Sequence, residues 1–130
     1  MTKDRIALVR SAYERYNNRD LDGALELLDP HVSWPDVVNG TVMVGRPAVR
    51  RYWNGHFLRV SPTVVPEDLY EVGDAVIAIV RQQVRDLDGN PIGASSVAAH
   101  KLTFRGELII RMEITVEAFP EEVQALFRAS

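Results

Sequence analysis

The stretch AAHKLTFRGELIIRMEITVE, residues 98–117, decides the fold. Apolar and polar residues alternate on both sides of Arg105-Gly106, which is the pattern of two half-buried β-strands joined by a tight turn. In the second strand the face expected to be buried holds Leu108, Ile110, Met112, Ile114 and Val116. The opposite, mostly polar face holds Ile109, Arg111, Glu113, Thr115 and Glu117. The stretch therefore predicts an antiparallel hairpin with one covered face.

A second alternating stretch lies upstream of this hairpin. From Val64 onward the pattern has a period of two, and one side carries Val76, Ala78, Val80 and Val84. The other side carries Ile77, Ile79, Arg81, Gln83 and Arg85. Asp88-Gly89-Asn90 is a turn signal, after which a strand runs from Ala94 to Phe104. This half of the chain predicts a long antiparallel meander.

The first half of the chain has a helical period instead. A first amphipathic helix is expected to end near Asn17-Asn18, and its apolar residues are Ile6, Val9, Tyr13 and Tyr16. Asp20 is a suitable cap for a second helix, which Pro30 ends because proline lacks a backbone donor. The apolar stripe of this helix is Leu21, Ala24, Leu25 and Leu28. Together the two segments predict a helical hairpin.

Shorter elements follow. Residues Val32 to Trp34 predict a short extended piece, and Gly40 and Gly45 mark turns. Arg46-Pro47 begins a third helix that runs through Tyr52 and Trp53 to about Phe57, since proline is favoured at the first helical position. At the end of the chain Pro120 begins a short helix with Val123, Leu126 and Phe127.

Helices first and strands afterwards predict an α+β domain spanning residues 1–130. The helices are expected to cover the concave face of a strongly curved, mainly antiparallel sheet, which leaves a cone open at one end. Such a cone encloses a pocket suited to a small hydrophobic molecule. The side chains expected at its wall are Tyr13, Tyr16, Trp34, Trp53, Phe57, Val80, Phe104, Met112 and Ile114.

Composition excludes several classes of function. The net charge is -3 and the 15 basic residues are scattered, so we expect no nucleic-acid partner and no membrane surface. Cysteine is absent, which excludes thiolate chemistry and fits a cytoplasmic location. The three histidines have no metal-ligand spacing, and there is no glycine-rich phosphate loop. We therefore expect neither a metal nor a cofactor.

Two titratable residues stand out. His100 falls on the apolar face of its predicted strand, beside Ala98, Leu102 and Phe104. A histidine there is either hydrogen-bonded packing or a working acid or base. Asp36, in Trp34-Pro35-Asp36-Val37-Val38, is a carboxylate between apolar residues in a break between elements. It reads equally as a turn residue that binds its own backbone. Both alternatives stay open for both residues.

The order of elements and several short motifs resemble the NTF2-like superfamily, in its SnoaL-like and ketosteroid-isomerase-like branch. The motifs are Asp20-Leu21-Asp22-Gly23-Ala24, Leu27-Leu28-Asp29-Pro30, Val32-Ser33-Trp34 and the run from Gly45 to Trp53. The resemblance covers nearly the whole chain. It implies the cone-shaped fold and homodimerisation through the outer sheet face, where Ile77, Ile79, Val97 and Ile109 add apolar area.

The resemblance also implies roles for site residues. Asp36 matches the general base of ketosteroid isomerases, in which a tyrosine and a protonated aspartate donate hydrogen bonds to the dienolate oxygen. Here the tyrosine position falls on Ala12 and the aspartate position on His100. Tyr13 or Tyr16 is then the candidate to replace the missing phenol.

Three functional hypotheses follow. The first is a cofactor-free isomerase, cyclase or dehydratase that uses Asp36 and His100 on a small hydrophobic carbonyl or polycyclic molecule. The second is a small-molecule binding protein without catalysis. The third is a dimeric interaction module with a filled interior.

Overall fold

The computed structural model describes residues 4–36 and 39–115. In this part of the chain the helices are α1 (Arg5–Asn17), α2 (Leu21–Leu25) and α3 (Arg46–Phe57). The strands are β1 (Leu28–Asp36), β2 (Thr41–Val44), β3 (Ser61–Val72), β4 (Ala75–Arg85), β5 (Ser96–Arg105) and β6 (Leu108–Thr115).

These strands form one curved sheet in the order β2-β1-β6-β5-β4-β3. Neighbouring strands are antiparallel except β1 and β6, which run parallel. The helices pack on one side of this mixed sheet, with α1 against β3 and α3 against β1. The predicted α+β class, with helices against a curved and mainly antiparallel sheet, is confirmed.

Local chemistry fixes the helix starts. The Asp4 carboxylate accepts hydrogen bonds from the backbone of Ile6 and Ala7, which satisfies free donors of the first turn of α1. The Asp20 carboxylate accepts a bond from the Gly23 backbone in the same way and begins α2. Gly45, at a φ of 95°, makes the sharp entry into α3 that a side chain would strain.

The second helix is shorter than predicted. It ends at Leu25, and Leu28 and Pro30 belong to β1. The reason is tertiary, because the Leu27 carbonyl accepts a bond from the Ile109 backbone and the Leu28 carbonyl accepts from Arg46 Nε. The expected extended piece at Val32 to Trp34 is therefore only the middle of a longer strand. Strand β2 was not anticipated.

The alternation predicted for β6 breaks near its start. Leu102 pairs with Met112 and Thr103 with Arg111, but Phe104 pairs with Ile109, so β6 carries one extra residue. This bulge reverses the faces, because side chains alternate with a period of two. Ile109 consequently faces inward with Met112 and is buried, whereas the prediction put it outside. The rest of the alternation, from Met112 to Ile114, keeps the predicted phase.

The core lies between the helices and the inner face of the sheet. Val9 of α1, Val49 of α3 and Val32 of β1 are fully buried with Val76 and Val80 of β4. Burial of a side chain of this size contributes about 1.5–3 kcal/mol. This core holds α1 and α3 over the sheet and thereby sets the geometry of the space between them.

The outer face of β4 and β5 carries Ile77, Ile79 and Val97, which are half-buried. Ile109 does not belong to this face, because the bulge turns it inward. The homodimer itself stays a prediction. The helix expected after Pro120 lies outside the described residues. No helix in the described ranges is both long and apolar enough to cross a lipid bilayer.

Candidate active site

A cavity of about 350 Å³ lies between the helices and the inner face of the sheet. Its wall is largely aliphatic and aromatic. The polar side chains that the described residues contribute to it are Tyr13, Tyr16, Tyr52, His56, Gln82 and His100. An apolar cavity with a few convergent polar groups is the usual form of a small-molecule site.

Most of the side chains predicted for the wall are found there: Tyr13, Tyr16, Trp34, Trp53, Met112 and Ile114. Phe57, Val80 and Phe104 are not part of it, which corrects the prediction for these three. Val80 is fully buried in the core. Phe57 packs against Tyr16, and Arg19 covers its ring. Phe104 lies near the end of β5, where it is part of the hydrophobic core and the Arg5 guanidinium covers its ring.

An aromatic cluster forms one side of the wall. The ring of Trp53 meets Tyr16 at 5.3 Å and Trp34 at 5.4 Å, both in edge-on geometry. Such pairs add about 0.5–1.5 kcal/mol beyond the area they bury. Burial raises the pKa of Tyr16 to about 12, with a smaller opposing effect of Arg19 and a small additional rise from Tyr52. Tyr16 therefore keeps its proton at neutral pH.

His100 lies in the middle of β5, opposite Ala78 of β4 and Ile114 of β6. It is buried on the inner face, and its ring forms part of the cavity wall. Its Nδ1 atom is 2.7 Å from the Tyr13 hydroxyl oxygen. Burial lowers the pKa of His100 to about 4, so the ring is neutral at neutral pH.

The donor and acceptor roles in the contact with Tyr13 depend on the tautomer of His100. Burial raises the pKa of Tyr13 far above its usual value, so its phenol keeps its proton. We infer that the O–H donates to Nδ1, because in the described part of the chain His100 Nδ1 is the hydrogen-bond partner of this phenol. A neutral ring that accepts at Nδ1 carries its proton on Nε2.

The Nε2–H group faces the cavity. Across residues 4–36 and 39–115, no buried side-chain nitrogen or oxygen lacks a hydrogen-bond partner. Tyr13 bonds His100 through Nδ1 alone, so Nε2 has its accessible surface on the side where the ring lines the cavity. A fixed donor thus points into an apolar space. It can donate to a carbonyl oxygen or stabilise the negative charge that develops on it.

Asp36 lies at the end of β1, where it pairs with Thr41 of β2. Its carboxylate accepts hydrogen bonds from the Asn39 backbone at 3.0 Å and from Asn39 Nδ2 at 2.8 Å. This is the turn geometry that the sequence left open. Its neighbours Trp34 and Pro35 line the cavity, but Asp36 is not among the wall residues. The structure joins His100 to Tyr13 rather than to Asp36.

His56 is the polar wall residue that sequence reasoning missed. It lies in the last turn of α3, and its ring contacts that of Tyr52 at 4.2 Å. Partial burial lowers its pKa, the Asp36 carboxylate opposes this shift, and Arg59 adds slightly to it. The sequence offers a signal for His56, because residues four apart share one face of a helix and Tyr52 lies four residues before it. Trp53, which follows Tyr52, is itself expected at the wall.

No group of three or more metal-binding side chains comes together among the residues that the structure describes. The buried carboxylate of Asp29 is instead paired with the Arg105 guanidinium at 2.9 Å. Its pKa is lowered, first by the His31 backbone N–H and then by Arg105.

Residues 9–112 match the family model described as a SnoaL-like domain. The chain belongs to the SnoaL-like domain family. This is the family that the sequence motifs resembled, and the fold is that of NTF2-like proteins. No curated protein matches the chain.

Solved structures share this fold at low sequence identity. TerC, co-crystallised with polyporic acid, is 21% identical with a TM-score of 0.75 over 95% of this chain and 98% of its own. A candidate polyketide cyclase from Sinorhizobium meliloti is 20% identical, with a TM-score of 0.72 over 84% and 94%. RV0760c from Mycobacterium tuberculosis, in complex with estradiol-17beta-hemisuccinate, is 16% identical, with a TM-score of 0.74 over 93% and 98%.

Proposed function

We propose that this SnoaL-like domain is a cofactor-free acid-base enzyme of the isomerase, cyclase or dehydratase type. Its substrate is a small hydrophobic molecule with a carbonyl group. The Nε2–H group of neutral His100 donates to the carbonyl oxygen, and Tyr13 positions the ring from its other side. The observation that carries this proposal is the 2.7 Å contact between Tyr13 and His100 at the cavity wall.

The chemistry needs a donor that is neutral before the reaction and stays in place during it. Removal of a proton next to a carbonyl leaves negative charge on the oxygen, and a fixed donor in an apolar site stabilises that charge. An imidazolium would supply more charge, but burial disfavours it here. His100 therefore takes the place of the protonated aspartate of ketosteroid isomerases, a carboxylic acid that its apolar site keeps neutral so that it can donate.

The size and lining of the cavity favour a compact polycyclic ligand. A volume of about 350 Å³ lies in the lower part of the usual range for ligand pockets. The polyporic acid of TerC and the estradiol derivative of RV0760c are both ring systems with oxygen at their edges. The same class of molecule fits an aromatic wall with the His100 donor on the sheet.

The test combines binding and turnover. Both tryptophans of the chain, Trp34 and Trp53, line the cavity, so their fluorescence reports ligand entry. Polyporic acid and estradiol-17beta-hemisuccinate are the binding probes. A β,γ-unsaturated ketosteroid in heavy water is the turnover probe, and NMR follows exchange of its acidic C–H. We expect exchange above the buffer rate, and its loss in the double variant Tyr13→Phe/His100→Phe.

The alternative is a small-molecule binding protein without catalysis. The observation that favours it is the absence of any carboxylate from the cavity wall within the described ranges. It predicts that the probes bind with unchanged affinity in His100 variants and that no carbonyl compound exchanges. A filled interaction module is a poorer fit, because the interior encloses a cavity.

Homodimerisation through the outer face of β4 and β5 is a separate proposal. Ile77, Ile79 and Val97 support it as half-buried apolar residues on that face. Light scattering at micromolar concentration tests it, and a monomer mass would contradict it. A cytoplasmic location stays an expectation.

A further inference from the structure

The cavity wall holds two imidazoles. His100 comes from the sheet and His56 from α3, and no aspartate or glutamate of the described residues lies between them. Proton abstraction from a ligand needs a group that can accept a proton at neutral pH and reaches the ligand. The carboxylate expected for this task, that of Asp36, is bonded to Asn39 outside the wall.

The other polar groups of the wall do not suit the task. Tyr13 and Tyr16 keep their protons, and Nδ1 of His100 is already occupied by the Tyr13 hydroxyl. Gln82 has no basic nitrogen. His56 is different because it is only half-buried, and because Asp36 directly follows Pro35, which lines the same cavity. The Asp36 carboxylate also opposes the lowering of the His56 pKa by burial.

Three side chains from different parts of the chain act on the His56 ring. The Asp36 carboxylate at the end of β1 favours the protonated ring, and Arg59, after the end of α3, disfavours it. Tyr52, one turn earlier on α3, meets the ring edge-on. Because burial lowers the pKa of His56, its ring is unprotonated at neutral pH and can accept a proton from a ligand.

We propose that His56 is the proton acceptor of this cavity and that Asp36 is a positioning residue that acts through it. This inference rests on the proposed function and assigns its second group. It also sets the substrate: a molecule whose carbonyl oxygen meets His100 and whose acidic C–H lies on the α3 side of the cavity. Asp36 thus contributes to proton transfer without lining the site.

The proton transfer balances within the protein and its ligand. The C–H bond next to the carbonyl breaks, its proton passes to a ring nitrogen of His56, and its electron pair forms the enolate. The Nε2–H group of His100 stabilises the enolate oxygen. His56 then returns the proton to the same or another carbon, which gives exchange or isomerisation without oxidant or reductant.

Exchange of the β,γ-unsaturated ketosteroid in heavy water is the first test. His56→Gln is expected to lose roughly 100- to 10,000-fold in exchange rate, the usual range for a general base. Its affinity for estradiol-17beta-hemisuccinate is expected to persist. His31→Gln is the matched control, because His31 is exposed on β1 and lies outside the wall, and its rate is expected to equal wild type.

The role of Asp36 is tested without turnover. In the unliganded protein, NMR titration of the His56 ring gives its pKa directly. Asp36→Asn is expected to lower this pKa, because a favourable negative charge is removed, and Arg59→Gln is expected to raise it. The pH profile of exchange in Asp36→Asn is expected to shift to lower pH with it.

The outcomes separate the two proposals. Wild-type exchange that persists in His56→Gln, or a His56 pKa that Asp36→Asn leaves unchanged, would overturn this inference and leave the proposed function standing. Absence of exchange in the wild type, with probe binding indifferent to His100, would overturn the proposed function first.

Discussion

The two sides of the cavity differ although each presents a histidine. His100 on β5 is buried, hydrogen-bonded to the partly buried Tyr13 phenol and neutral, because burial lowers its pKa to about 4. His56 on α3 is half-buried; burial lowers its pKa less than that of His100, and the Asp36 carboxylate opposes this shift. The same side chain is therefore a fixed donor on the sheet and a proton carrier on the helix. Environment rather than residue type assigns the role.

The difference also explains why Asp36 and His100 need not meet. A carboxylate next to His100 would favour imidazolium over the neutral ring that donates from Nε2. A carboxylate beside His56 instead supports proton uptake where uptake is needed. Each of the following predictions removes or sharpens this contrast.

The largest effect is expected when the sheet side loses its donor. Tyr13→Phe/His100→Phe removes both members of the pair, so neither leaves a buried partner unsatisfied. Exchange of the ketosteroid probe is expected to fall roughly 100- to 1,000-fold, as when one oxyanion donor is lost. Circular dichroism checks that the fold is kept. A folded variant with wild-type exchange would contradict the role of His100.

The sheet side also predicts how stability depends on pH. The unfolded chain protonates His100 at an ordinary pKa of 6.5 and the folded chain only at about 4. The free energy of unfolding is therefore highest above pH 6.5. It falls by about 3 kcal/mol as the pH falls from 6.5 towards 4. Urea unfolding across this window measures the loss.

The double variant Tyr13→Phe/His100→Phe is the control, and its stability is expected to change much less in the same window. His56 adds a smaller loss of the same sign, because its pKa is also lowered. Asp29 does not contribute in this window. Its pKa is lowered, so the stability that depends on its charge is lost only at a pH below its ordinary pKa of 3.8. Equal slopes for wild type and double variant would show that His100 does not titrate as described.

A smaller effect is expected from Tyr13→Phe alone. This variant leaves His100 Nδ1 buried without its donor, which costs about 1–3 kcal/mol of unfolding free energy. It also removes the donor that keeps the His100 proton on Nε2, so the exchange rate is expected to fall as well. Tyr70→Phe is the matched control, because Tyr70 is exposed on β3. If both variants unfold at the same urea concentration, the Tyr13 hydrogen bond contributes nothing.

The smallest effect is expected from filling the cavity. Ala12 lies on the wall side of α1 and Ala7 on its exposed side. Ala12→Leu is expected to weaken binding of estradiol-17beta-hemisuccinate about tenfold, which equals about 1.4 kcal/mol. Ala7→Leu is expected to leave it unchanged. Equal affinity in both variants, read by tryptophan fluorescence, would place the ligand elsewhere.

Sequence patterns predicted the regular elements well where local signals and tertiary structure agree. α1, α3 and the Gly106 turn of the last hairpin lie where spacing and turn residues put them. The pattern failed at Leu28, whose helical spacing is overridden by bonds from Arg46, and at Ile109, which a bulge turns inward. Neither event leaves a local signature, because each depends on a partner far along the chain.

The candidate site was predicted in part for the same reason. The apolar face around His100 was visible as alternation, and the choice between Tyr13 and Tyr16 as its phenol needed the packing of α1 on the sheet. His56 has no metal-ligand spacing with the other histidines, and its position in the sequence does not link it to His100. Only the fold brings the last turn of α3 to the cavity that also contains His100.

The most direct test of the account is the tautomer of His100 in the unliganded protein. Long-range proton–nitrogen NMR near neutral pH gives the shifts of both ring nitrogens, and the double variant assigns the signals. The account predicts a neutral ring with the proton on Nε2 and a bare, hydrogen-bonded Nδ1. A proton on Nδ1, or a doubly protonated ring, would contradict it.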